Sequence, residues 1–464
     1  MKRTKKLGIM LGVLAVICVM TLAVSTVKEK QENIEISGET VLSIPVEQVR
    51  SFSWEEDGDS LSFHKEEDRW VYDGDEHFPA DTDKVENLLR QFEAFGVGFT
   101  IEDVEDPGTY GLAEPEDTLT IETEEKMYQI DMGDYSKMDQ QRYVSIGDGK
   151  VYLAAHDPCA DFSDTTLREL ALLDEVPDFK EGVQKLHFSG TETYEITRQE
   201  KSDSYREDDL WYTERDGEKI PMNPVMVEDY LAQLNNGILY NYADYYATEE
   251  ELPGYGLDSP ELTVEVTYSR EEQEQTFTLQ IGRNPDEVEK WNALTEEERE
   301  TADPVPAFVR VEGSDMVYRL DSTDYDRLIR YTVDDLRHKE VIPADAETMK
   351  QVDFTIDGTT CHLTAGKEDG VWYHGEDKVE GSDLSGALSD LRITEFKADQ
   401  PTDKLEISFT AVLKMEGEPK ITVELYRYDG TSCLAVVDGK PLGLVSRENT
   451  VNLMEAVNSI ILKK

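Results

Sequence analysis

The chain has 464 residues, enough for roughly three folded units at about 150 residues each. Its 46 Lys and Arg face 101 Asp and Glu, a formal charge of -55, which excludes nucleic acid and anionic lipid surfaces as direct ligands because both require a basic face. The 22 Tyr, 14 Phe and 5 Trp are too many for a disordered acidic chain, and 4 Cys are too few for a disulfide scaffold, so a folded core under an acidic surface is expected.

Chain order begins with a basic stub, residues 1–6, carrying Lys2, Arg3, Lys5 and Lys6. Residues 7–27 follow without a charge, long enough to cross a bilayer as a helix. Basic residues before such a run hold the N-terminus inside, so the pattern predicts a single-pass signal-anchor at the plasma membrane with the bulk of the chain outside. A cleaved signal peptide is the alternative, but the run exceeds the usual h-region and Ala23-Val24-Ser25 is a mediocre cleavage site. A lipoprotein at Cys18 is disfavoured by the bulky Ile17 before it. A linker, residues 28–41, leads to the folded part.

Beyond it the sequence repeats itself. Trp70-Val71-Tyr72, Trp211-Tyr212 and Trp372-Tyr373 each follow an acidic turn and precede a helical stretch. Val85, Leu88, Leu89 and Phe92 form one apolar stripe, as do Val227, Tyr230, Leu231 and Leu234, with Leu384, Leu388 and Leu391 approximating a third. Tyr110-Gly111-Leu112-Ala113-Glu114-Pro115 matches Tyr255-Gly256-Leu257-Asp258-Ser259-Pro260. Alternating strands follow each, with Met132-Gly133 matching Ile281-Gly282, and each copy closes on a helical Leu-Arg, Leu167-Arg168 and Leu336-Arg337. The spacing predicts an α+β fold, in which an N-terminal transmembrane helix precedes tandem repeats of antiparallel strands with packed helices. The units are 42–175, 183–342 with an acidic insertion at 285–306, and a divergent C-terminal unit at 349–464 without the Tyr-Gly-Leu turn.

Trp70, Tyr72, Trp211, Tyr212, Trp372 and Tyr373 read as half-buried strand aromatics. Tyr110, Gly111, Leu112 and Pro115, with Tyr255, Gly256, Leu257 and Pro260, read as turns in which glycine takes a conformation that side chains hinder. The cluster Tyr240, Tyr242, Tyr245 and Tyr246 offers a possible binding surface, although Tyr240 and Tyr242 also alternate as a strand would.

These residues resemble a bacterial family known as domain of unknown function 4340, over most of Leu42 to Glu340. The resemblance implies membrane-tethered, non-cytoplasmic proteins, some associated with ABC-type export or gliding-motility-like transport systems. It brings no catalytic residues with it.

Direct signs of chemistry are absent from the sequence. The seven histidines form no H-E-x-x-H or i, i+4 pair, and adjacent Cys361 and His362 on a strand point to opposite faces. No nucleophile elbow, P-loop or dinucleotide fingerprint occurs. Asp73-Gly74-Asp75-Glu76 and the acidic stretch 157–164 lack calcium-loop spacing. No catalytic, metal or cofactor site is expected. The reading is a non-enzymatic scaffold or accessory subunit, its partner an ABC-type transporter or envelope protein. A surface module for wall glycan or peptide is the alternative, and a hydrolase comes third.

Overall fold

A computed structural model describes residues 39–462, apart from 57–58, 116, 164, 367–370 and 380–381. The apolar run 7–27 lies outside the described residues. The chain divides into two units at Leu173/Asp174, the first with one nine-stranded antiparallel sheet and the second with two.

The first sheet contains β1 (Glu39–Leu42), β2 (Val49–Glu56), β3 (Asp59–Glu66), β4 (Arg69–Tyr72), β5 (Phe95–Ile101), β6 (Asp117–Thr123), β7 (Met127–Ser136), β8 (Gln141–Ser145) and β9 (Val151–Ala154). The second contains β10 (Val183–Ser189), β11 (Thr193–Arg198), β12 (Trp211–Arg215), β13 (Glu218–Pro221), β14 (Tyr242–Asp244), β15 (Leu262–Arg270), β16 (Gln273–Arg283), β17 (Ala307–Val311) and β18 (Val317–Leu320). The third contains β19 (Met349–Ile356), β20 (Thr359–Ala365), β21 (Trp372–His374), β22 (Asp377–Val379), β23 (Ile393–Phe396), β24 (Leu405–Leu413), β25 (Lys420–Arg427), β26 (Ser432–Val437) and β27 (Lys440–Ser446).

Across the sheets the orders are β1-β5-β9-β8-β7-β6-β2-β3-β4, β14-β18-β17-β16-β15-β10-β11-β12-β13 and β23-β27-β26-β25-β24-β19-β20-β21-β22. One plan therefore occurs three times. Leading strands build outward, a helix follows, one strand crosses to the far edge, and a four-stranded meander returns to the first strand. The first sheet lacks the counterpart of β13 and β22 and carries β1 at its opposite edge.

Register makes the equivalence residue by residue. Each leading strand enters its meander partner through the same irregularity, at Val49/Ser51, Val183/Lys185 and Met349/Gln351. Such a bulge increases local twist and fixes which face each following side chain takes. Phe52, Leu186 and Val352 then occupy one buried position, and Trp54, Phe188 and Phe354 the next. Trp70 pairs with Lys65, Trp211 with Arg198 and Trp372 with Ala365, again one position in three copies.

The expected α+β class is corrected. Sheets dominate, and helices are short pieces laid on them. Val85, Leu88 and Leu89 lie in the helix Thr82–Leu89, but Phe92 falls in the tighter turn Arg90–Ala94 that ends it. Its start is set by Asp81, whose carboxylate accepts from the Asp83 and Lys84 amides. Asn223 followed by Pro224 starts Pro224–Leu234 in the same way. Even the helix Arg447–Leu462 has only 16 residues, and no helix among the described residues is long and apolar enough to cross a membrane.

The three tryptophans are buried, with Trp70 at 1% exposure. The Lys65 ammonium sits 5.1 Å from the Trp70 ring centroid, while Trp70 Nε1 is buried without a hydrogen-bond partner among the described residues. Removing an unpaired donor offsets part of the loss of ring volume. Trp70→Phe is therefore expected to cost under about 2 kcal/mol, against about 3–5 kcal/mol for Trp70→Ala. Urea unfolding curves for the two variants check this difference.

Candidate functional site

Most of the repeated motif residues build the fold. Gly111 and Gly256 have φ of 73° and 70°, left-handed caps that end short helical turns. A Cβ on Gly133 would overlap the Tyr110 carbonyl oxygen, and one on Gly282 would overlap the Gly256 carbonyl oxygen. Each Tyr-Gly-Leu turn thus lies backbone-on-backbone against a strand glycine. Tyr110 packs on Tyr143 at 5.0 Å and Tyr255 on Phe308 at 4.9 Å between ring centroids. Leu257 is buried, while Leu112, Pro115 and Pro260 are half-buried. Tyr212 is buried beneath the Lys219 ammonium, its hydroxyl accepting from the Asp203 amide. Tyr72 and Tyr373 are half-buried on β4 and β21.

In the third sheet the position matching Gly133 and Gly282 is Tyr426, reached by counting along the strand from Leu425, the partner of Ile407. No Tyr-Gly-Leu turn lies there, so a side chain fits. Turn and glycine are lost together.

The tyrosine run is divided. Tyr242 is buried on β14 and meets Tyr245 edge-on at 5.8 Å. Tyr240 and Tyr246 are exposed, at 67% and 45%. The 285–306 insertion contains two surface helices, Pro285–Ala293 and Glu296–Arg299, with no buried residue.

The described cysteines Cys159, Cys361 and Cys433 are buried and form no disulfide among the described residues. Burial pushes the Cys159 thiol well up and the Cys433 thiol to about 11, so both stay protonated. Among the described residues no group of three His, Cys, Asp or Glu side chains is placed to hold a metal ion.

What brings chemistry together is a groove of about 730 Å³ in the second unit, where the β12–β13 hairpin and the loop before it face the connection into the third sheet. Ile220, Val341, Phe396, Val437, Pro441 and Leu442 give it apolar walls. Five Lys or Arg and five Asp or Glu also line it, a local balance unlike the 46 against 101 of the whole chain.

At its back lies a buried charge network. His338 Nε2 stands 2.7 Å from Asp209 Oδ1, and His338 Nδ1 is 3.5 Å from Glu340 Oε2. Asp209, only 1% exposed, also accepts from Ser204 Oγ. Arg206 donates to Asp345 at 3.1 Å and to the Ile342 carbonyl at 3.3 Å, and Arg392 donates to Glu340 at 2.7 Å. The loop 202–209 is thereby stapled to the connecting segment 338–345.

Burial works against an imidazolium at His338, but hydrogen bonds to Asp209 and Glu340 outweigh it and raise the pKa. Burial would also raise Asp209, yet hydrogen bonds from His338 and Ser204 hold it below the usual carboxylate value. The hydrogen bond from His338 brings Glu340 down to about 2. These are marks of a locked ion cluster.

Beside this cluster the Arg337 guanidinium lies 3.8 Å from the Phe396 ring centroid, and Arg215 shares Asp334 with it. Sequence reasoning passed over these groove residues. His338 belongs to no motif, and the Leu-Arg repeat sets Arg337 opposite Arg168. The structure corrects that alignment. Asp81 N donates to the Leu170 carbonyl and Asn223 N to the Leu336 carbonyl, each at 2.8 Å. Capping boxes at Thr166/Glu169 and Thr332/Asp335 lead into the two closures. Leu336 therefore matches Leu170, not Leu167, and Arg337 matches Ala171.

The profile of the family described as Domain of unknown function (DUF4340) matches residues 70–260 and 240–408. The chain belongs to this family. No curated protein matches the chain.

Proposed function

We propose that the chain is an exported, non-enzymatic scaffold or accessory subunit of an envelope complex, with an ABC-type exporter the partner class to which the family resemblance points. The observation that carries this reading is the use of the repeated residues. The tryptophans pack all three copies and the Tyr-Gly-Leu turns the first two, and the buried charges of the groove neutralise one another. The uncharged run 7–27 behind four basic residues supports placement at the plasma membrane with the bulk of the chain outside.

Crosslinking in intact cells followed by isolation of the full-length chain tests the reading. The expected result is one envelope membrane protein recovered in constant ratio with the chain. Recovery of the chain alone, together with hydrolytic activity of the isolated protein on wall polymers, contradicts it. A second reading, a surface module for peptide or wall glycan, is favoured by the apolar groove and by the exposed rings of Tyr240 and Tyr246. Binding of purified wall fragments that is lost in Tyr240→Ala would favour this second reading.

A further inference from the structure

Arg337 is not demanded by the repeat. Its match in the first sheet's closure is Ala171, and both residues make the same isolated bridge, Ala171 with Ala80 and Arg337 with Met222. A long cation stands where the first sheet's closure has a methyl group. Its guanidinium is stacked on Phe396 at 3.8 Å, with the side chain 16% exposed. A guanidinium carries five N–H donors. Among the described residues this one donates a single hydrogen bond, 3.3 Å to Asp334 Oδ1. Arg215 Nη1 lies 3.9 Å from that same oxygen and 4.0 Å from Glu192 Oε1, so Arg337 shares its one half-exposed carboxylate with a second cation. A stacked guanidinium keeps its donor edge free and directed along the ring plane, the arrangement suited to a planar two-oxygen anion.

We propose that Arg337, supported by Arg215 and Phe396, binds the carboxylate of a small ligand whose apolar body lies along Val437, Pro441 and Leu442. Chemistry selects the charge. Glu218 is already paired with Lys440 and Glu340 with Arg392, so the groove has no stock of unpaired cations for a dianionic phosphate, whereas a single negative charge suits Arg337 beside Arg215. The volume of about 730 Å³ suits a small molecule or the last residues of a peptide. The proposal is independent of the scaffold reading.

Titration calorimetry of the full-length chain in detergent tests it with three probes: N-acetyl-leucyl-leucine, its C-terminal amide, and butyrate. The acid is expected to bind and the amide to fail. Arg337→Ala and Arg337→Gln are each expected to weaken the acid about tenfold or more, with Arg215→Ala weakening it less. Competition by butyrate identifies a free small carboxylate as sufficient, and its failure identifies the peptide terminus. Circular dichroism melting of each variant separates lost binding from lost fold. Equal binding of acid and amide, no binding of either, or undiminished binding by a folded Arg337→Gln variant would overturn the proposal.

Discussion

Gly282→Ala is expected to destabilise the second sheet by about 3 kcal/mol, because its new methyl group would overlap the Gly256 carbonyl oxygen. Neither side can yield easily. Gly282 is paired with Phe308 in the ladder between β16 and β17, and Gly256 is fixed at φ 70° by its cap. Gly254, two residues earlier in the same turn, has nothing within 4 Å of a Cβ. Gly254→Ala should therefore stay within about 1 kcal/mol of the parent chain. Denaturant unfolding followed by tryptophan fluorescence compares the two variants. Equal behaviour would mean that the Tyr-Gly-Leu turn does not dock on the strand.

Asp209→Ala is expected to cost about 3 kcal/mol, since it removes a carboxylate that is 1% exposed and leaves His338 without its closest anion. The pH profile should change as well. His338 has a raised pKa when folded, so its contribution is complete below the ordinary histidine value of about 6.5 and is lost as pH rises through the folded value. Asp209 and Glu340 have lowered pKa values, so theirs is present above about 4.3 and is lost as pH falls toward about 2. The joint is tightest between these limits. Melting temperatures from pH 5 to 9 should fall for the parent chain and stay flatter for Asp209→Ala. A parallel fall in both would remove His338 as the cause.

How far the sequence speaks depends on what each signal measures. The tryptophans, the Tyr-Gly-Leu turns and the glycines opposite them are legible because rare residues are forced by steric contact. The full third copy is not legible in that way. Its topology is held by strand pairing, which many side chains satisfy, and the one contact that demanded glycine has disappeared at Tyr426. The sheet-dominated class was hidden by short amphipathic stretches. Two turns with one buried face show the same periodicity as the start of a long helix, and only the turn at Arg90–Ala94 ends the pattern. The groove was least legible of all. Asp209 and His338 are 129 residues apart, and neither belongs to a motif. Arg337 stands out only against Ala171, its match by hydrogen bonding, which lies three residues beyond the Arg168 that the Leu-Arg spelling pairs with it.

Whether the repeated residues build the chain or bind its partner is tested most directly in cells. The full-length protein carrying Trp70→Phe, Trp211→Phe and Trp372→Phe should still be crosslinked to the proposed envelope partner in the same ratio as the parent chain, provided circular dichroism shows it folded. Loss of the partner from a variant that remains folded would contradict an architectural role for the three tryptophans.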